Sequence, residues 1–153
     1  MIKASAVKYG FDVDASVTLR DIADGAETAT ALETPVNLNL LDAAYWQTNT
    51  LPYNTLMVVV HVTANDFTTM DETVVLTLEV DDDAALADTP TVVSTLTLSG
   101  GLTGVFYMPV DARTIEGLVS DWSGDVAYMG IRATLGGTTP SVTYGAWIAK
   151  DIA

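Results

Sequence analysis

The sequence predicts an all-β chain folded as a two-sheet sandwich, jelly-roll-like, with about eight strands in a single domain over 1–153. Three observations predict it. Segments rich in valine and threonine recur between clusters of glycine, proline, aspartate and serine, the alternation of strand formers and turn formers that marks an antiparallel β protein. The stretch Thr73-Val74-Val75-Leu76-Thr77-Leu78-Glu79-Val80 puts Val74, Leu76, Leu78 and Val80 on one face and Thr73, Val75, Thr77 and Glu79 on the other, the period of two of a half-buried strand. Helical periodicity is nearly absent.

Taken in chain order, a weak strand falls somewhere in 13–20 and a second in 35–40. Residues 21–34 are rich in Ala, Thr, Asp and Glu without alternation, which reads as a long loop or arm. In 55–63, Leu56, Val58, Val60 and Val62 share one face while Met57, Val59, His61 and Thr63 take the other. Both faces carry apolar groups, as in a strand covered on two sides. Further strands follow at 73–80, 91–98, 104–110, 126–134 and 141–149. Asp81-Asp82-Asp83, Ser99-Gly100-Gly101, Trp122-Ser123-Gly124-Asp125 and Gly136-Gly137-Thr138-Thr139-Pro140 supply the turns. Two short surface helices fit, at 42–47 and at 111–119, where Asp111 can cap a turn that holds Ile115, Leu118 and Val119 on one side.

Composition excludes whole classes of function. The 153 residues carry 20 acidic against 6 basic side chains, a formal net charge of −14, so phosphate backbones and anionic membrane surfaces repel the chain. No nucleic-acid partner is expected, and no membrane. The longest apolar run, Leu56 to Val60, is five residues where a spanning helix needs about 20. The first residues hold Lys3 and Lys8 but run into Tyr9, Gly10, Phe11 and Asp12. That start predicts no signal peptide and synthesis in the cytoplasm. Cysteine is absent, which removes disulfides, thiolate metal sites and thiol nucleophiles together.

The remaining chemistry is thin. His61 is the single histidine and sits among Met57, Val60 and Val62 in an apolar strand, with no Gly-x-Ser-x-Gly elbow anywhere in the chain. It reads as structural rather than as a base. Asp81-Asp82-Asp83 could offer oxygens to calcium, but the spacing of a calcium loop is missing, and consecutive strand-end residues point in different directions. Gly100-Gly101-Leu102-Thr103-Gly104 has no lysine after it, so it is a turn and not a phosphate cradle. Trp46, Trp122, Trp147, Tyr45, Tyr53, Tyr107, Tyr128 and Tyr144 could build a sugar-stacking platform, though rings in a sandwich more often fill cores and interfaces. No catalytic residues, no cofactor and no metal site are expected.

One resemblance goes further. Leu56-Met57-Val58-Val59-Val60-His61-Val62-Thr63, Phe67, the run from Thr73 to Asp83, Gly104-Val105-Phe106-Tyr107-Met108-Pro109-Val110, Tyr128-Met129-Gly130-Ile131-Arg132-Ala133-Thr134 and the run from Gly137 to Trp147 resemble the capsid cement (decoration) proteins of tailed bacteriophages, of the type first met in the Bordetella podophage. The resemblance covers roughly residues 50 to 150 and rests on β patterning. It implies a jelly-roll-like protein without enzyme activity, located on the outside of an icosahedral virion shell. There it would oligomerise with itself, as homodimer or homotrimer, and bridge neighbouring copies of the major capsid protein. On that reading Tyr45, Trp46, Tyr53, Met57 and Val59 are the expected interface residues, since exposed aromatic and large apolar groups dominate contact energetics. A carbohydrate- or receptor-binding sandwich of a phage or surface structure is the alternative, and a sandwich hydrolase with two poised carboxylates the third.

Overall fold

A computed structural model describes residues 17–40, 55–87, 89–119 and 127–149. Among them are ten strands: β1 (Thr18–Arg20), β2 (Ala26–Glu27), β3 (Ala31–Leu32), β4 (Val36–Asn37), β5 (Thr55–Asn65), β6 (Thr73–Asp81), β7 (Thr91–Leu98), β8 (Gly104–Asp111), β9 (Tyr128–Gly136) and β10 (Val142–Ala149), with one α-helix, α1 (Ala112–Val119), between β8 and β9. The long strands are those whose residues alternate and whose threonines and valines fit a pleated surface. Their bounds fall within two residues of the expected ones, and those of β7 coincide with them.

The strands form two antiparallel sheets of five. Sheet A runs β1-β10-β5-β8, with β2 also on β10; sheet B runs β3-β9-β6-β7, with β4 also on β9. The pairs are nested: β6 with β7 innermost, β5 with β8 around them, then β3 with β9, and β1 with β10 outermost. This is the order of an eight-stranded jelly roll, one long hairpin wrapped into two sheets, to which β2 and β4 add two-residue extensions. The chain is therefore an all-β two-sheet sandwich.

The period-two pattern determines what lies between the sheets. Leu56, Val58, Val60 and Val62 of β5, Tyr144, Ala146 and Ile148 of β10 and Met108 and Val110 of β8 face Val74, Leu76, Leu78 and Val80 of β6 and Met129, Ile131 and Ala133 of β9, all buried in one cluster. Truncating one such leucine to alanine costs about 2 to 5 kcal/mol in a well-packed core. α1 closes one end. Asp111 Oδ1 accepts from the Arg113 N–H at 3.0 Å, the capping role expected of it, and Ile115 is buried in the core with Leu118 packed against it.

Two expectations change. Of 35–40, only Val36–Asn37 is strand; Leu38–Leu40 is a 3₁₀ turn. There Leu38 turns into the core while its N–H donates to the Ala127 carbonyl and Asn39 accepts from the Ala127 N–H. Residues 21–34 do not project as an arm. They hold a 3₁₀ turn at Ile22–Asp24, then β2 on sheet A and β3 on sheet B, so this segment crosses between the edges of both sheets. The turn is braced reciprocally, with Asp21 accepting from Ala23 N–H and Asp24 accepting from Asp21 N–H. The helix expected at 42–47 lies outside the described residues.

Candidate functional site

The outward face of sheet A carries the apolar groups that a one-core sandwich does not use. Register places Trp147, Val59 and Tyr107 in one row across β10, β5 and β8, with Ala149, Met57 and Pro109 in the next row and Gly145, His61 and Val105 on the other side. Val59, Trp147 and Ala149 form a second buried cluster, and Met57 and Val105 pack against it half-buried. Toward the β8 edge the cover ends. Tyr107 is 54% exposed.

This corrects the expectation for Val59. Its side chain is fully buried at 0% exposure, packed with Trp147 and Ala149, which takes it out of the exposed surface. Met57 stands half-buried at the margin of the covered area. At the other end of the face, Ile22 lies over Gly145, 3.2 Å from where a Cβ would stand. Tyr45, Trp46 and Tyr53 lie outside the described residues. Of the rings considered for sugar stacking, Trp147 and Tyr144 are buried, Tyr128 is half-buried and Tyr107 is exposed; Trp122 also lies outside the described residues.

A second group of exposed apolar side chains sits at the end of the sandwich where the 66–72 and 99–103 loops meet. Phe67, Leu102 and Met70 are exposed there, Met70 at 78% and with φ of +62°. Asn65 donates to the Leu102 carbonyl, which ties the two loops. The 66–72 loop is held by its carboxylates: Asp66 accepts from the Thr68 N–H and hydroxyl, Glu72 from the Thr69 N–H, and Asp71 from both donors of Thr138, with the one Thr69 hydroxyl proton shared between Asp71 and Glu72. Threonine hydroxyl donors hold all three carboxyls below the usual range, Thr68 for Asp66 and Thr69 for Asp71 and Glu72. Gly137, with φ of +102°, makes room for this loop, because a Cβ there would stand 2.6 Å from the Asp71 carbonyl oxygen and from Glu72 Cα.

Among the described residues, Arg20 and Arg132 are committed to ion pairs. Arg20 donates to Glu27 at 2.5 Å and to Glu33, and also to the carbonyls of Gly25 and Tyr144. Burial pushes the Glu33 carboxyl up in spite of Arg20, and burial also raises the Tyr144 phenol well above its ordinary value. On the outward face of sheet B, Arg132 grips Glu79 with two parallel bonds of 2.8 and 2.9 Å. Nearby, Leu86 and Leu32 lie over Gly130, where a Cβ would meet the Leu86 methyl at 2.6 Å. None of these pairs was legible beforehand; the available signal was the scarcity of cations, which makes each one in a strand a candidate for an obligatory partner.

The aspartates at the end of β6 serve the backbone. Asp81 Oδ1 accepts from the Asp82 N–H, and Asp83 accepts from the N–H groups of Ala85 and Ala87. Among the described residues no group of three or more His, Asp or Glu side chains is arranged to hold a metal ion. Among the described residues, too, no helix is long and apolar enough to cross a membrane.

No family model, curated protein or solved structure matches this chain.

Proposed function

We propose that this chain is a shell-binding structural protein: a β-sandwich that attaches to the outside of an icosahedral phage capsid and bridges neighbouring major capsid protein subunits. One observation carries the reading beyond the sequence resemblance. The outward face of sheet A ends at the β8 edge in a half-exposed aromatic, Tyr107, in one row with the buried pair Val59 and Trp147 and beside the half-buried Met57 and Val105. A large ring held on a rigid apolar base is the kind of anchor that dominates protein contacts. The segments that resemble cement proteins fall on β5, β6, β8, β9 and β10, which supports the reading without identifying the partner.

Such a protein needs no chemistry. It binds the assembled shell and not the separated subunits, so every copy shifts the equilibrium toward the shell by mass action, and many weak copies act together. The net charge of −14 keeps the chain off packaged nucleic acid. Density-gradient sedimentation of the lysate that contains the chain tests the proposal. Co-sedimentation with large particles in a constant ratio to the major shell protein is expected. Recovery at the top of the gradient overturns it and makes an oligosaccharide titration the next experiment.

A further inference from the structure

The 66–72 loop and the turn between β9 and β10 close on each other, and two carboxylates meet there. Asp71 Oδ1 and Glu72 Oε1 both contact the Thr69 hydroxyl, the first at 2.7 Å. That hydroxyl has one proton to give. Thr138 serves Asp71 from the other side, with its hydroxyl on Oδ2 at 2.7 Å and its N–H on Oδ1 at 3.2 Å. Glu72 Oε1 receives the Thr69 N–H at 3.0 Å besides its share of the hydroxyl. Glu72 Oε2 receives nothing. The residue is 5% exposed, and this oxygen is buried without a hydrogen-bond partner. Both oxygens of a carboxyl are bonded to one carbon, so Oε2 stands beside Oε1 and the Thr69 hydroxyl.

We infer that Asp71 and Glu72, with the Thr69 hydroxyl oxygen between them, bind one calcium ion where the 66–72 loop meets the β9–β10 turn.

The charge, the donor set and the shape of the site select that ion. A buried carboxylate oxygen without a donor is costly. Two carboxylates with ordinary pKa values near about 4 are both ionised at neutral pH, and the single hydroxyl proton between them leaves the pair short of positive charge. A divalent cation supplies it. The donors are all oxygen, since the chain has no cysteine and its one histidine is in β5, and an oxygen set favours the hard cations over metals that prefer nitrogen or sulfur. Calcium takes uneven sets of oxygens and accepts both oxygens of one carboxylate, whereas magnesium demands a near-ideal octahedron. The site also joins two distant segments, Thr138 and Asp71 being 67 positions apart. Gly137 permits the closure, because its positive φ and missing Cβ let the turn lie against the Asp71 carbonyl and Glu72 Cα. With two carboxylates rather than the three or more of a strong site, the expected dissociation constant is on the order of 10⁻⁴ to 10⁻³ M.

The test uses the purified full chain, stripped of metal with a chelator and dialysed. It does not involve shell particles, so its failure leaves the proposed function untouched. Calorimetric titration with calcium chloride is expected to show one ion per chain in that range, and the amide signals of Thr69, Asp71, Glu72 and Thr138 are expected to shift with the same midpoint. Magnesium chloride is expected to bind at least about tenfold more weakly. Glu72→Gln keeps the shape of the side chain and is expected to weaken calcium binding at least about tenfold. The calcium-free variant is expected to melt no lower than the natural chain, because the substitution removes the unpartnered charge. No saturable binding at about ten times the expected constant overturns the inference. So does an equal response to magnesium, which is the screening expected of any body of net charge −14. Full affinity in Glu72→Gln, or signal shifts that map to Asp81, Asp82 and Asp83 instead, also overturns it. If Glu72→Gln does not fold, Asp71→Asn with the same expected loss and the signal map of the natural chain carry the test.

Discussion

The guanidinium carbon of Arg20 stands 4.8 Å from the centre of the Tyr144 ring, and Arg20 Nε donates to the carbonyl of that same residue, 124 positions away in the chain. The cation is buried at the edge of sheet A, and its remaining donors go to Glu27, Glu33 and Gly25 on the segment that crosses to sheet B. One side chain thus ties the crossover to the outermost strand pair.

Replacing Arg20 by alanine strands the Glu33 carboxylate in a partly buried site and removes the face-on contact with Tyr144. Removing one partner of a buried pair costs about 3 to 5 kcal/mol, toward the lower end here because Glu27 and Glu33 retain some exposure. Urea unfolding of Arg20→Ala measures it. A midpoint unchanged from the natural chain would show that the pair contributes nothing net.

Gly137→Ala and Gly130→Ala separate a backbone clash from a side-chain clash. At Gly137 the new Cβ meets fixed backbone at a positive φ, and a loss of about 2 kcal/mol or more is expected. At Gly130 the obstacle is a leucine methyl that can swing away, so about 1 kcal/mol is expected. Thermal melts of both, together with Gly130→Ala combined with Leu86→Ala, check this. The combined change is expected to cost less than the sum of the two.

Tyr107→Ala is expected to cost no more than about 1 kcal/mol of stability, because about half of the residue is exposed. Co-sedimentation with shell particles is expected to fall. Retained binding by this variant removes the outward face of sheet A as the contact surface.

The loop at 66–72 is expected to loosen in acid. Asp66, Asp71 and Glu72 are held below their ordinary values by donors from Thr68, Thr69 and Thr138. A lowered folded pKa means that the bracing is complete above the unfolded carboxylate range near pH 4 and is lost as pH falls through the lower folded values. Protection of the Thr68, Thr69 and Thr138 amides, corrected for intrinsic exchange, is expected to hold at neutral pH and drop below about pH 4. A drop on the neutral side of pH 5 would refute the assignment.

What could be read in advance follows the range of the physics. β6 and β7 were legible because alternation and turn residues act within a few positions, and the cap at Asp111 because it is local. Nothing local told that Arg20 would meet Glu33 and Tyr144, or that Leu86 would need a glycine at 130, since these contacts form only once the sheets are ordered. Val59 shows the same limit. Its apolar neighbours marked a face with too much hydrophobic surface, but whether the chain or a partner covers that face depends on where the other segments run. The residues 21–34 lack alternation because they touch each sheet for only two residues at a time, so the crossover carried no periodic signal.

The nested order of the strands also governs how the molecule is made. Synthesis delivers β6 and β7 together, and they can form a hairpin early, but β1, β2 and β5 all pair with β10, the last of the strands to emerge. Their long-range contacts require closure of large loops. A nascent chain that has reached α1 therefore holds four of the five strands of sheet A without β10, the neighbour of three of them, while the uncharged β7 is already exposed. The ribosome-bound intermediate, more than the finished protein, is where this fold is at risk of pairing with the wrong strand, and a protector of unfinished chains would act at that stage.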